Sequence, residues 1–111
     1  MVLRFPIKED GTAGEPVIIS SGYGVIDGIE LDEEGNIYIS EILRNEISVI
    51  SPDGSQRYVI ASKLNAPLDN NTSLVLRDGV LYTANLGFMH RSPAEADKTV
   101  VAIKGFPKPK K

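Results

Sequence analysis

The chain has 111 residues, 41% of them hydrophobic and 24% charged, with a formal net charge of −3 and no cysteine. That length allows one ordinary domain at most, and the balance of apolar to charged residues is that of a folded chain. Disulfides and thiolate metal sites are excluded, no apolar run approaches the roughly 20 residues that cross a bilayer, and an acidic body lacks the basic face that nucleic acids require.

The N-terminus, Met1-Val2-Leu3-Arg4-Phe5-Pro6, runs straight into charged residues rather than the apolar core of a signal peptide, which favours a cytoplasmic location. Residues 3–8 and 16–20 are expected to form a hairpin around Glu9-Asp10-Gly11-Thr12-Ala13-Gly14, and Ser21-Gly22-Tyr23-Gly24 follows as a connector. Ile29 and Leu31, then Ile37 and Ile39, alternate with polar neighbours, which predicts strands over 28–31 and 37–41. Between them Asp32-Glu33-Glu34-Gly35-Asn36 has turn chemistry, with Gly35 free to take a positive φ. Strands over 46–50 and 57–61 join through Ser51-Pro52-Asp53-Gly54-Ser55, which completes a four-stranded antiparallel meander at 27–61.

Residues 64–71 read as a loop, marked by Pro67 and Asp69-Asn70-Asn71, and strands resume over 73–76, 80–84 and 99–103. The segment 87–98 separates the last two; within it Ser92 could cap one helical turn over 92–97 with Pro93 in its first position. The end of the chain is basic, with Lys104, Lys108, Lys110 and Lys111 between prolines, and is expected to be a solvated tail at 104–111. In contrast, residues 27–46 hold seven carboxylates (Asp27, Glu30, Asp32, Glu33, Glu34, Glu41, Glu46) against the single base Arg44.

The meander repeats. Setting Gly28-Ile29-Glu30-Leu31 on Ser73-Leu74-Val75-Leu76 brings Tyr38 onto Tyr82 once a shorter turn is closed. Strand, acidic turn, then a strand carrying Tyr is the pattern of a β-propeller blade, so the fold class expected is all-β. The order is two strands, then four, then three: outer strands of one blade at 1–20, a complete blade at 27–61 and a last blade at 72–103. Blades bury their faces only against other blades, and a ring needs at least four. The chain is therefore expected to belong to a longer propeller or to associate with copies of itself, and the strand sum, which does not divide into whole blades, favours the first.

The run Ile26-Asp27-Gly28-Ile29-x-x-Asp32-x-x-Gly35-Asn36-Ile37-Tyr38-Ile39, followed by Ile47-Ser48-Val49-Ile50-Ser51-Pro52-Asp53-Gly54, resembles the SMP-30/gluconolactonase family. Residues 72–85 and 100–103 are similar to that family's last blade, and Arg4-Phe5-Pro6-Ile7 with Gly14-Glu15-Pro16 to the outer half of an earlier one. The resemblance implies a partial six-bladed β-propeller, about two blades of its C-terminal portion. It further implies a hydrolase of lactones or related esters that holds a divalent metal, Ca²⁺ by expectation, in its channel. Asp27 matches a metal-binding Asp of that family, and as a carboxylate beside metal-bound water it is also the candidate catalytic base. The family's other ligands fall outside the matched portion, so the isolated chain is expected to be inactive. The same glycine and aspartate spacing occurs in NHL-type propellers, which leaves a non-catalytic binding module or self-associating scaffold as the alternative.

Each candidate has a simpler reading. Asp27 could be an Asx-turn residue bonding the backbone next to its glycine. Asp32-Glu33-Glu34-Gly35 has the wrong spacing for an EF-hand and reads as a hairpin turn. His90 is the only histidine, which rules out His-pair zinc sites, and a pairing with Ser92 lacks an orienting acid. Gly22-Tyr23-Gly24 with Gly28 departs from the dinucleotide fingerprint and leads into a strand instead of a helix. Asn70-Asn71-Thr72-Ser73 contains overlapping glycosylation sequons. Glu41 and Asn85, at the ends of the Tyr-bearing strands, could border a ligand surface or simply end their strands.

Overall fold

Alternation and turn residues cut the described residues into nine strands: β1 (Val2–Arg4), β2 (Val17–Ser20), β3 (Ile26–Leu31), β4 (Ile37–Glu41), β5 (Glu46–Ile50), β6 (Arg57–Ala61), β7 (Asn71–Arg77), β8 (Val80–Asn85) and β9 (Val100–Ile103). They are seen in a computed structural model that describes residues 1–89 and 99–109. The chain is all-β, with no helix among the described residues. Every pairing is antiparallel, in sheets ordered β1-β2, β3-β4-β5-β6 and β7-β8-β9. The expected helical turn over 92–97 and His90 lie outside the described residues.

The second sheet is the middle layer. Tyr38, Ile47, Val49 and Ile60 on one face pack with Leu74, Leu81, Val101 and Ile103 of the third sheet. Ile37, Ile39 and Ile50 on the opposite face pack with Val2 and, more loosely, Ile19 and Tyr23. Burial on both faces is why every residue of β4 is inaccessible. The three sheets follow one another in chain order, and the molecule measures 51 × 27 × 24 Å.

The second and third sheets share one register. In the second, Ile26 faces Glu41, Ile29 faces Ile39, Glu30 faces Tyr38 and Leu31 faces Ile37. In the third, Asn71 faces Asn85, Leu74 faces Thr83, Val75 faces Tyr82 and Leu76 faces Leu81. Both ladders slip at the same step, before Ile29 and before Leu74, so the repeat extends to a bulge that alternation alone does not reveal.

Two glycines let sheets touch through their backbones. A Cβ on Gly28 would stand 2.4 Å from the Thr72 carbonyl oxygen, so β3 and β7 can approach only with hydrogen at that position. Gly54, at a φ of +79°, lies under β2, where a Cβ would meet the Ile19 carbonyl oxygen at 1.9 Å.

Two expectations change. The first strand ends at Arg4 and not near residue 8, because Pro6 has no N–H to offer the ladder; beyond it only a single bridge, Ile7 to Ala13, remains. The C-terminal segment is not a solvated tail through its described length. Phe106 packs edge-on against Tyr38, ring centres 5.7 Å apart, Lys108 comes within 4.0 Å of Glu34, and Pro109 is buried. An aromatic ring covering Tyr38 outweighs the preference of the neighbouring lysines for water.

Candidate functional site

Asp27 and Gly28 form the β3 bulge, the two residues that have no opposite number on β4. Gly28 is turned into the contact with β7, while Asp27 is exposed. The Asx-turn alternative for Asp27 can be compared with the other turn aspartates of the chain. Asp10 accepts from the Thr12 N–H, Asp32 from the Glu34 N–H and Asp53 from the Ser55 N–H, each two residues ahead. Asp27 makes no such bond, and its carboxylate has no hydrogen bond or ion pair among the described residues. Its carboxylate is uncommitted.

The acidic turn below it is committed. Asp32 Oδ1 accepts from the N–H groups of Glu34 and Asn36, and Oδ2 from Asn36 Nδ2 and the Tyr38 hydroxyl. Partial burial pushes the Asp32 carboxyl upward, but the bonds from Asn36, Tyr38 and Glu34 outweigh it and hold it below the usual carboxylate range. Burial, with the Asp32 carboxylate beside it, raises the Tyr38 phenol well above its ordinary value. Asp53 is drawn down to about 2 by the Ser55 N–H, the Ser55 hydroxyl and the Ser51 hydroxyl. These acids close turns and leave no oxygen cage.

Glu41 is fully buried at the end of β4. Its Oε1 accepts from the Gly24 N–H at 2.8 Å and lies 3.5 Å from Arg44, and its Oε2 lies 3.7 Å from Arg57. Arg57 also lies over the Tyr23 ring at 3.9 Å, so the connector, β4 and β6 are tied through one carboxylate. Glu41 is wholly buried and so borders no exposed surface, with Oε1 hydrogen-bonded and Oε2 facing Arg57 without a hydrogen bond. Asn85 is likewise buried, accepting from the Asp69 N–H and donating to the Pro67 carbonyl.

A buried polar seam joins the second and third sheets. Ser40 Oγ donates to the Asn71 carbonyl, and Asn71 Nδ2 donates to both Ser40 Oγ and the Glu46 carbonyl. Asn70 adopts a φ of +54°, donates its N–H to Asn45 Oδ1, and donates from Nδ2 to the Ile42 carbonyl. Both sequon asparagines are thus buried and bonded, out of reach of a glycan. In sequence Asn71 reads as a loop and sequon residue and Ser40 carries no motif; the one available signal was that Ser40 shares the alternating face of Tyr38.

Beside β3 the first hairpin stops short. It leaves a groove of about 330 Å³ lined by Val2, Phe5, Ile19, Ile29, Leu31 and Ile37. Among the described residues no group of three or more His, Cys, Asp or Glu side chains could hold a metal ion. Calcium takes six to eight oxygens, so Asp27 by itself does not make a calcium site, and the residues present do not fit a complete one. No family model matches the chain, and no curated protein matches it.

Proposed function

We propose that the three sheets are consecutive blades of a six-bladed β-propeller, of which the chain forms the C-terminal portion. In this reading the assembled ring is a metal-dependent hydrolase of lactones or related esters, and Asp27 contributes one carboxylate to its channel. The observation that carries the reading is the free Asp27 carboxylate at the bulge of β3, in a chain whose other turn aspartates are spent on backbone N–H groups. The repeated register of the second and third sheets, bulge included, supports successive blades. Because Asp27 is one ligand of several, the isolated chain binds a cation weakly and does not turn over substrate by itself.

The test is thermal unfolding across a Ca²⁺ titration carried to about ten times the Kd of the native chain. A ligand that binds only the folded state raises apparent stability by about 1.4 kcal/mol at ten times its Kd. The gain is expected in the native chain and absent in Asp27→Asn. An equal gain in the variant would refute the role of Asp27. A second reading, a non-catalytic binding module, is favoured by the apolar groove between the first hairpin and β3; it predicts no response to Ca²⁺ in either protein.

A further inference from the structure

The two ends of the chain of sheets are both apolar. On the first sheet Leu3 and Ile18 are cross-strand partners, and they remain 42% and 62% exposed, on the side away from the second sheet. On the third sheet Val75 pairs with Tyr82, and Ala84 with Val100. Val75, Tyr82 and Val100 are 54%, 38% and 71% exposed, again on the side away from the second sheet. By register Tyr82 is the counterpart of Tyr38, which is wholly covered because another sheet lies on it. The third sheet thus presents the face that the second sheet has buried, with none of the described residues covering it.

The shape says what could cover it. The longest dimension, 51 Å, is about twice each of the other two, 27 and 24 Å. Those are the proportions of half a thick disc, whose straight side carries both end faces. We propose that a second copy of the chain covers them: two copies related by a twofold axis form a closed ring of six sheets. The third sheet of each, through Val75, Tyr82 and Val100, packs on the Leu3 and Ile18 face of the other. Such a contact joins unlike surfaces, yet it closes after two copies because each copy spans half the circle. The proposal rests on the sheets being consecutive blades, as in the reading above, but has a second copy supply the remaining blades of the ring in place of further chain; it is independent of any role of Asp27.

Light scattering after gel filtration tests it. The chain is expected at twice its 12.0 kDa mass, with or without a calcium chelator and equally in Asp27→Asn. Small-angle scattering should give a longest dimension close to the 51 Å of one chain, since closing a half-disc does not lengthen it. Tyr82→Glu and Ile18→Glu should each yield a 12.0 kDa species with an unchanged β-sheet circular dichroism spectrum, whereas Leu64→Glu, exposed on a loop, should leave the dimer intact. If Tyr82→Glu fails to fold, Val100→Lys at the start of β9 reads the same face. A native chain that runs as a monomer, or a dimer about twice as long as one chain, would overturn the proposal. So would a dimer indifferent to substitutions on both faces. A monomer that still responds to Ca²⁺ through Asp27 would retain the functional reading and assign the missing blades to another polypeptide.

Discussion

Glu41 and Asn85 hold the same backbone group at the same place in successive sheets. Glu41 faces Ile26 and accepts from the N–H of Gly24, two residues before it; Asn85 faces Asn71 and accepts from the N–H of Asp69, again two residues before. The next residue repeats the pattern through its own backbone, Ile42 N–H to Val25 and Leu86 N–H to Asn70. Two different side chains therefore fasten the chain as it enters the first strand of each sheet.

Removing Asn85 should cost the penalty of a buried donor left unpaired, about 1–3 kcal/mol, and removing Glu41, whose bond to the Gly24 N–H is only part-buried, about 1 kcal/mol. Glu41→Ala and Asn85→Ala are each expected to lower the unfolding free energy read from urea denaturation by these amounts. Glu41→Gln, which keeps an acceptor for Gly24, should lose less. Equal stability of Glu41→Ala and the native chain would show that the Gly24 bond contributes nothing.

Gly28→Ala should destabilise by overpacking, about 1–3 kcal/mol, because the atom it meets is the Thr72 carbonyl oxygen, which no side-chain rotation can move. Gly54→Ala should be worse, since it combines contact with the Ile19 carbonyl and a φ of +79°. Hydrogen exchange should show β2 losing protection in Gly54→Ala before the second sheet does.

Most strand positions were legible in the amino-acid order because Ile29, Leu31, Ile37 and Ile39 alternate and because Gly35, Pro52 and Gly54 punctuate them. The Tyr38–Tyr82 correspondence was legible for the same reason. What could not be read was partnership. Glu41 is a charged residue at a strand end, and nothing beside it in sequence tells that Gly24, Arg44 and Arg57 wait for it. Asn70 and Asn71 look like loop residues, yet they bridge to Ser40 and Glu46 of a different sheet and to Asn45 in the turn between its strands. Phe106 sits among lysines and prolines, and only the fold reveals Tyr38 beneath it.

Acid should weaken the protein through Asp32. Its folded-state value lies below the ordinary 3.8, so the stability it contributes is complete above that value and is lost as pH falls through the folded one. Asp32→Asn replaces an acceptor of four bonds by a group that must also donate, at a cost of about 1–3 kcal/mol near neutrality. Its stability should then fall less steeply than the native chain's below about pH 4. Parallel acid limbs in the two proteins would exclude Asp32 as the source.

The most direct measurement of the central claim, that Asp27 is a carboxylate free to take a cation, is a calcium titration followed by amide chemical shifts. Perturbations should gather at Ile26, Asp27 and Gly28 and at Thr72 and Ser73 across the contact with β7. Shifts confined to the acidic turn at Asp32–Gly35, or none at all, would contradict it.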